Sequence, residues 1–164
     1  MSEGHPLLLI QFIFPLQGQH DQVVQKGTFM TRHQLREQVF LLLFRADFYD
    51  TEGLQEQERL FAETLKKASE QDLIQIKAKY HGILEKLSEI DSIINDRTKG
   101  WKTSRMGKAE LTILRLAVYE LLYDEEIPTG VAINEAVELA KEYGTEEASS
   151  FVNGVLAKVA AEQE

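Results

Sequence analysis

Two clusters of basic side chains are the part of this sequence whose residue types and spacing point to chemistry. The first basic cluster consists of Arg32, His33 and Arg36; the second, residues 97–108, holds five lysines or arginines and no acid. Lys and Arg neutralise phosphates, and an aromatic ring such as Trp101 can stack an unpaired base. Together, these groups are how proteins commonly hold single-stranded RNA, although taken alone the signal is weak.

Both clusters also have a purely structural interpretation. Exposed lysines and arginines are usually only solvated, and Trp101 lies eleven residues after Ile90, which suits a position in a helical core. If the second basic cluster does bind RNA, we expect Lys102 and Arg105 to be among its contacts.

The net charge of the whole chain is −9, so the basic clusters lie in an acidic protein. Most of the excess acid follows Asp124, where ten acidic residues face only two lysines. Charges are screened over about 8–10 Å at physiological salt, so a local phosphate-binding surface is compatible with this balance. The acidic remainder would suit a basic protein partner.

Several kinds of chemistry have no support in the sequence. There is no cysteine, and the four histidines lack the spacing of a helical zinc site, so we expect no metal site. No phosphate-binding loop, nucleophile elbow or cofactor-binding glycine motif is present. We therefore expect neither a cofactor nor catalytic residues, and nothing identifies an enzyme.

Residues 1–29 differ from the rest of the chain. The apolar run Leu7–Leu16 is too short to span a membrane, and it lacks the basic start of a secretory signal. We interpret residues 1–29 as a poorly ordered N-terminal extension, with Met30 as an alternative start of the native protein. The expected location is the cytoplasm.

The central element of the predicted fold is the segment Leu111–Leu122. Nine of its twelve residues are apolar, and they cover most of the circumference of a helix. Such a helix must be enclosed by other helices. Arg115 and Glu120 interrupt it, and since a buried charge is costly unless paired, each should meet a partner on another helix, Glu135 being a candidate for Arg115.

The other segments show the spacing of amphipathic helices. The first begins after Thr31, the second covers about Leu54–Ala68, and the third has Asp72 as a possible N-cap. After the central helix, Thr129 is a possible N-cap and Gly144 a possible left-handed C-terminal residue. These patterns predict an all-α protein of about seven helices, in two packed helical subdomains around the central helix.

Three blocks in the C-terminal half carry a family resemblance. They are Ile113–Leu121 (ILRLAVYEL), Ile127–Lys141 with the run VAINEAVELAK, and Phe151–Leu156 (FVNGVL). In order and spacing they closely resemble the NusB family of transcription antitermination proteins. The resemblance covers about residues 31–160, and it implies that residues 30–164 form a NusB-like RNA-binding helical domain.

The resemblance implies a factor that acts by binding, without catalysis. Members of the family pair with NusE, a small ribosomal subunit protein, and the pair binds the boxA element of nascent RNA. The assembly joins RNA polymerase and suppresses termination, notably on ribosomal RNA operons. The alternative is a helical protein-interaction module, or a homodimer, without RNA contact.

The resemblance also suggests individual sites. The arginine-rich start of the family falls on Arg32, His33 and Arg36, although relatives often carry more arginines there. Phe151 and Asn153 lie in a motif associated with the RNA-binding side, while Phe151 also suits the core. Glu110 matches an acidic position that faces the ribosomal protein partner in relatives.

Overall fold

The computed structural model describes residues 29–163; the predicted extension, apart from Phe29, lies outside the described residues. Within them the chain forms seven α-helices and one 3-10 turn, and no strand. The helices are α1 (Arg32–Ala46), α2 (Thr51–Thr64), α3 (Glu70–Glu85), α4 (Leu87–Arg97), α5 (Lys108–Tyr123), α6 (Thr129–Tyr143) and α7 (Ala148–Ala161), with the 3-10 turn at Thr103–Arg105. The prediction of an all-α fold with about seven helices is confirmed.

The described chain divides into two compact units after Ile76. The division falls inside α3 rather than between two helices. The C-terminal part of α3 belongs to the second unit, because Tyr80 and Ile83 contribute to its buried apolar interior. No helix within residues 29–163 is long and apolar enough to cross a membrane.

The first unit is built on α1 and α2, which contact each other. Thr31 caps α1, since its side chain accepts a hydrogen bond from the Gln34 amide and the Gln34 side chain accepts one from the Thr31 amide. Asp50 caps α2 in a similar way, accepting from the Gly53 amide at 3.0 Å. The Asp50 cap starts α2 at Thr51. The helix ends at Thr64, so both ends come earlier than predicted.

The prediction that Asp72 is the N-cap of α3 is wrong, because Asp72 lies in the first turn of that helix. The Ser69 hydroxyl accepts from the Asp72 amide at 3.0 Å, and the Asp72 carboxylate accepts from the Ser69 amide at 3.4 Å. Ser69 and Asp72 are three residues apart, and this reciprocal pairing of a serine with an acid is that of a capping box. The same carboxylate accepts from the Met30 amide at 3.1 Å, so it also ties the start of the described chain to α3.

In the second unit, α5 is the central helix that its apolar sequence predicted. It contacts α4, α6 and α7, and its buried residues lie on several sides of the helix. The charged interruptions have the expected partners on other helices. Arg115 donates to Asp91 of α4 at 2.7 and 2.8 Å, and the Lys79 ammonium of α3 lies 3.2 Å from the Glu120 carboxylate. The proposed contact of Arg115 with Glu135 stays a prediction.

Two predicted details at the ends of α6 are wrong. The N-cap position is Pro128 rather than Thr129, because the fixed backbone of proline suits the start of a helix. Gly144 has an extended rather than a left-handed backbone. A side chain is excluded there by crowding, since a Cβ atom at residue 144 would lie 2.5 Å from that of Ala148.

Candidate nucleic-acid interface

The second basic cluster forms the connection between α4 and α5. Lys99, Lys102, Arg105 and Lys108 are exposed along it. Arg97 is half-buried and pairs with Glu162 near the end of α7. Four cations of the cluster therefore lie at the surface within ten residues of chain, and exposed cations are the groups that neutralise phosphates.

This connection has a defined conformation. The Thr103 amide donates to the Asn95 side-chain oxygen of α4 at 2.8 Å, and the 3-10 turn that follows includes Arg105. Gly107 then occupies the N-cap position of α5. The apolar sequence of α5 fixes that helix in the core, so the cluster is attached to a rigid element at its C-terminal end.

The fold brings the second basic cluster next to the last helix. The rings of Trp101 and Phe151 lie 6.4 Å apart between centroids, with their planes at 56°. Phe151 is half-buried near the start of α7, and Asn153 is exposed two residues later. The buried residues Val152, Val155, Leu156 and Val159 hold this helix against the core.

Trp101 is a surface residue rather than a core residue. It is 59% exposed, although its spacing from Ile90 allowed a buried position. The neighbour relation with Phe151 was not foreseen, because 50 residues separate the two in the chain. The sequence did associate both segments with RNA, and this shared association could have predicted that Trp101 and Phe151 lie close together.

In the first unit, the residues of the first basic cluster differ in exposure. Arg32 and His33 are exposed in the first turn of α1. Arg36 is 5% exposed, so it does not lie at the surface beside Arg32, and its expected contact with RNA stays a prediction. Phe40 and Phe44 follow Arg36 at intervals of four residues and therefore lie on the same face of α1. Both rings are buried, so this face of the helix is turned toward the interior.

Glu110, the predicted partner-facing acid, has contacts within its own unit. Its carboxylate accepts from the Thr145 amide at 3.3 Å, which links the start of α5 to the turn between α6 and α7. A Cβ atom at Gly107 would lie 2.2 Å from one carboxylate oxygen of Glu110, and one at Gly144 would lie 3.5 Å from the other. The carboxylate therefore lies between two glycines and is half-buried, so only part of it is available to a partner.

Metal binding has no support in the described part of the chain. Within residues 29–163, no three His, Asp or Glu side chains lie close enough together to hold an ion. The second basic cluster and the start of α7 offer instead positive charge, the exposed ring of Trp101 and the exposed amide of Asn153, which are groups with which proteins contact phosphates and bases.

Comparison with known proteins agrees with these features. Residues 33–161 match the NusB family. The protein named transcription antitermination protein NusB from Agathobacter rectalis is 49% identical over 131 residues, which is 80% of this chain and all of that protein. The protein of the same name from Lachnoclostridium phytofermentans is 45% identical, over 79% of this chain and 98% of its own.

Solved structures give the same result. The structure of T. maritima NusB superposes with a TM-score of 0.73 at 35% identity, covering 82% of this chain and 94% of that one. A structure described as antitermination factors NusB and NusE in complex with dsRNA superposes with a TM-score of 0.70 at 30% identity, covering 81% and 99%. With its sequence matched over residues 33–161 and its fold shared with these structures, the chain belongs to the NusB family.

Proposed function

We propose that this protein is a transcription antitermination factor that binds boxA-type RNA together with NusE. The observation that carries the proposal is the surface in the second unit, where four exposed cations, Trp101, Phe151 and Asn153 lie on adjoining segments. The relatives' name and the NusB–NusE–RNA structure support the partners. The protein acts by binding, and the assembly joins RNA polymerase in the cytoplasm to promote antitermination on ribosomal RNA operons.

Within this function, the residues have distinct roles. Lys102 and Arg105 contact phosphates, while Phe151 and Asn153 contact bases. Arg32 and His33 are additional RNA contacts in the first unit. Glu110 contributes the negative charge that meets the basic ribosomal protein.

The test is RNA binding with and without the protein partner. A labelled boxA-type RNA and a scrambled RNA of equal length are titrated with the chain alone and with an equimolar mixture of the chain and NusE. We expect weak binding by the chain alone, tighter binding by the mixture, and a preference for the boxA-type RNA only in the mixture.

The competing function is a protein-interaction module without RNA contact. It predicts that NusE adds no RNA affinity and that the two RNAs bind equally. That result would overturn the proposal, whereas sequence preference that depends on NusE would exclude the alternative.

A further inference from the structure

Trp101 is the only tryptophan of the chain, and it presents a large apolar ring to solvent in the middle of the second basic cluster. With 59% of its area exposed, it gains little from burial within the described structure. Tryptophan is enriched at binding interfaces relative to the rest of the protein surface. The backbone, the aromatic neighbour and the charges around Trp101 indicate which kind of ligand this ring would contact.

The backbone that carries Trp101 is held in one conformation. The Trp101 amide donates to the Thr98 carbonyl oxygen at 2.7 Å, and the Thr98 hydroxyl lies 2.5 Å from the Trp101 carbonyl oxygen. Thr98 is itself buried at the end of α4. Gly100 has φ of 89°, a left-handed conformation that favours glycine, and it completes the tight turn. The position of Trp101 is therefore set in advance, which lowers the entropy cost of binding.

The ring has support on one side and positive charge around it. Phe151 contacts it from α7 at 6.4 Å between centroids, which leaves the remaining surface of Trp101 open. Lys99 and Lys102 lie two residues before and one residue after it, and both are exposed. An apolar protein segment would not need these cations. A nucleobase attached to a phosphate backbone would use both the ring and the charges.

We infer that Trp101, supported by Phe151, stacks an unpaired nucleobase of the bound RNA. The inference rests on the proposed function and goes further, because it assigns a base-stacking residue and requires at least one unpaired base at this position. A fully paired duplex presents its base faces to neighbouring bases, so a duplex cannot occupy Trp101 in this way.

The intrinsic fluorescence of Trp101 provides the test, since no other tryptophan contributes to the signal. The full chain is titrated with single-stranded boxA-type RNA, with the same strand paired to its complement, and with the strand carrying abasic nucleotides. Binding is followed in parallel by the anisotropy of a label on the RNA. We expect the single strand to quench the fluorescence along the same curve as the anisotropy, and the duplex and abasic RNAs to quench much less.

Two outcomes would overturn different claims. If the anisotropy shows that the single strand binds while the fluorescence does not change, the stacking inference is wrong and the proposed function stands. If no RNA binds, with or without NusE, the proposed function fails and the inference fails with it.

Substitutions give a second measurement. Trp101→Ala should weaken binding of the single strand by about tenfold, the loss of one stacked base, and Trp101→Phe should restore most of it. Ile74→Ala is the matched control, because Ile74 is another exposed large apolar residue but lies in the first unit. Equal RNA affinities for Trp101→Ala and Ile74→Ala would overturn the inference. So would a Trp101→Ala variant that loses NusE binding but keeps RNA binding, since the ring would then contact protein.

A Thr98→Val variant tests the fixed backbone separately. It keeps the volume of the buried side chain but removes the hydroxyl beside the Trp101 carbonyl oxygen. We expect weaker binding of the single strand with the full extent of quenching retained at saturation. An affinity equal to that of the unmodified chain would exclude any contribution of the held conformation.

Discussion

Burial separates two arginines that are equivalent in the sequence. Arg32 and Arg36 are one helical turn apart, yet Arg32 is exposed and Arg36 lies in the buried row that includes Phe40 and Phe44. The long apolar stem of a buried arginine packs against its neighbours, so removing the side chain loses this packing as well as the charge. The two residues should therefore respond differently to the same substitution.

We expect Arg32→Ala to reduce RNA affinity several-fold and to leave the free energy of unfolding unchanged. Arg36→Ala should reduce the free energy of unfolding by about 1–3 kcal/mol, the usual range for a buried side chain. RNA titration and urea unfolding of both variants provide the measurements. A stable Arg36→Ala protein with reduced RNA affinity would show that Arg36 contacts RNA directly.

Glu110 combines a structural contact with a proposed partner contact, and two substitutions distinguish them. Glu110→Gln keeps an oxygen acceptor for the Thr145 amide but removes the charge, whereas Glu110→Ala removes both. If the charge meets the partner, both variants should bind NusE more weakly. Only Glu110→Ala should also lose stability, by about 1 kcal/mol for one hydrogen bond.

Calorimetry of NusE binding and thermal unfolding together check this prediction. The role of the charge would be refuted by a Glu110→Gln variant that binds NusE as tightly as the unmodified chain. The contact with the turn between α6 and α7 would then be the whole role of Glu110.

At the level of helices, the Tyr119 side chain of α5 reaches the backbone of α3 at Gly82. A Cβ atom at Gly82 would lie 2.3 Å from the Tyr119 hydroxyl oxygen, and 2.9 Å from the ring carbon that bears it. These distances are too short for unbonded atoms, so a larger residue at position 82 would push the Tyr119 ring away. The ion pair of Lys79 and Glu120 joins the same two helices.

Gly82→Ala should therefore destabilise the protein by about 1–3 kcal/mol, as overpacking does, although alanine favours helix. Gly130→Ala is the control: it lies in the first turn of α6, and a Cβ atom there meets nothing within 4 Å. We expect Gly130→Ala to be neutral or stabilising by up to about 1 kcal/mol. Equal unfolding free energies for the two variants, measured in urea, would contradict a tight contact between Gly82 and the Tyr119 side chain.

For the whole molecule, the question is how the proposed RNA binding is compatible with a net charge of −9. The answer is local concentration of charge: residues 97–108 contain no acid, while the excess of acid lies elsewhere in the chain. Binding of this kind releases counterions, so its affinity depends on salt. The number of phosphates neutralised can be read from that dependence.

With the four exposed cations of the second basic cluster and Arg32 in contact with phosphates, the logarithm of affinity should fall with the logarithm of salt with a slope of about −3 to −4. Lys102→Gln should reduce the magnitude of that slope by about 0.7. Lys66→Gln replaces an exposed lysine outside both clusters and should leave it unchanged. A slope near zero for the unmodified chain would show that phosphates contribute little to binding.

The sequence alone determined the helical class, the approximate number of helices and the central position of α5. These follow from the spacing of apolar residues, which decides locally which face of a helix must be buried. It also located the basic clusters and, through three sequence blocks, the family. The need for partners at Arg115 and Glu120 followed as well, because a buried charge requires one in any fold.

Only the tertiary structure decided which residues share a surface. Arg36 is buried and Trp101 exposed because burial depends on the elements that pack around a residue, and spacing within one helix does not specify them. The contact of Trp101 with Phe151 joins segments 50 residues apart, and the contact of Glu110 with Thr145 joins segments 35 residues apart. Such pairings arise from the packing of α4, α5 and α7 against one another, which no local pattern encodes.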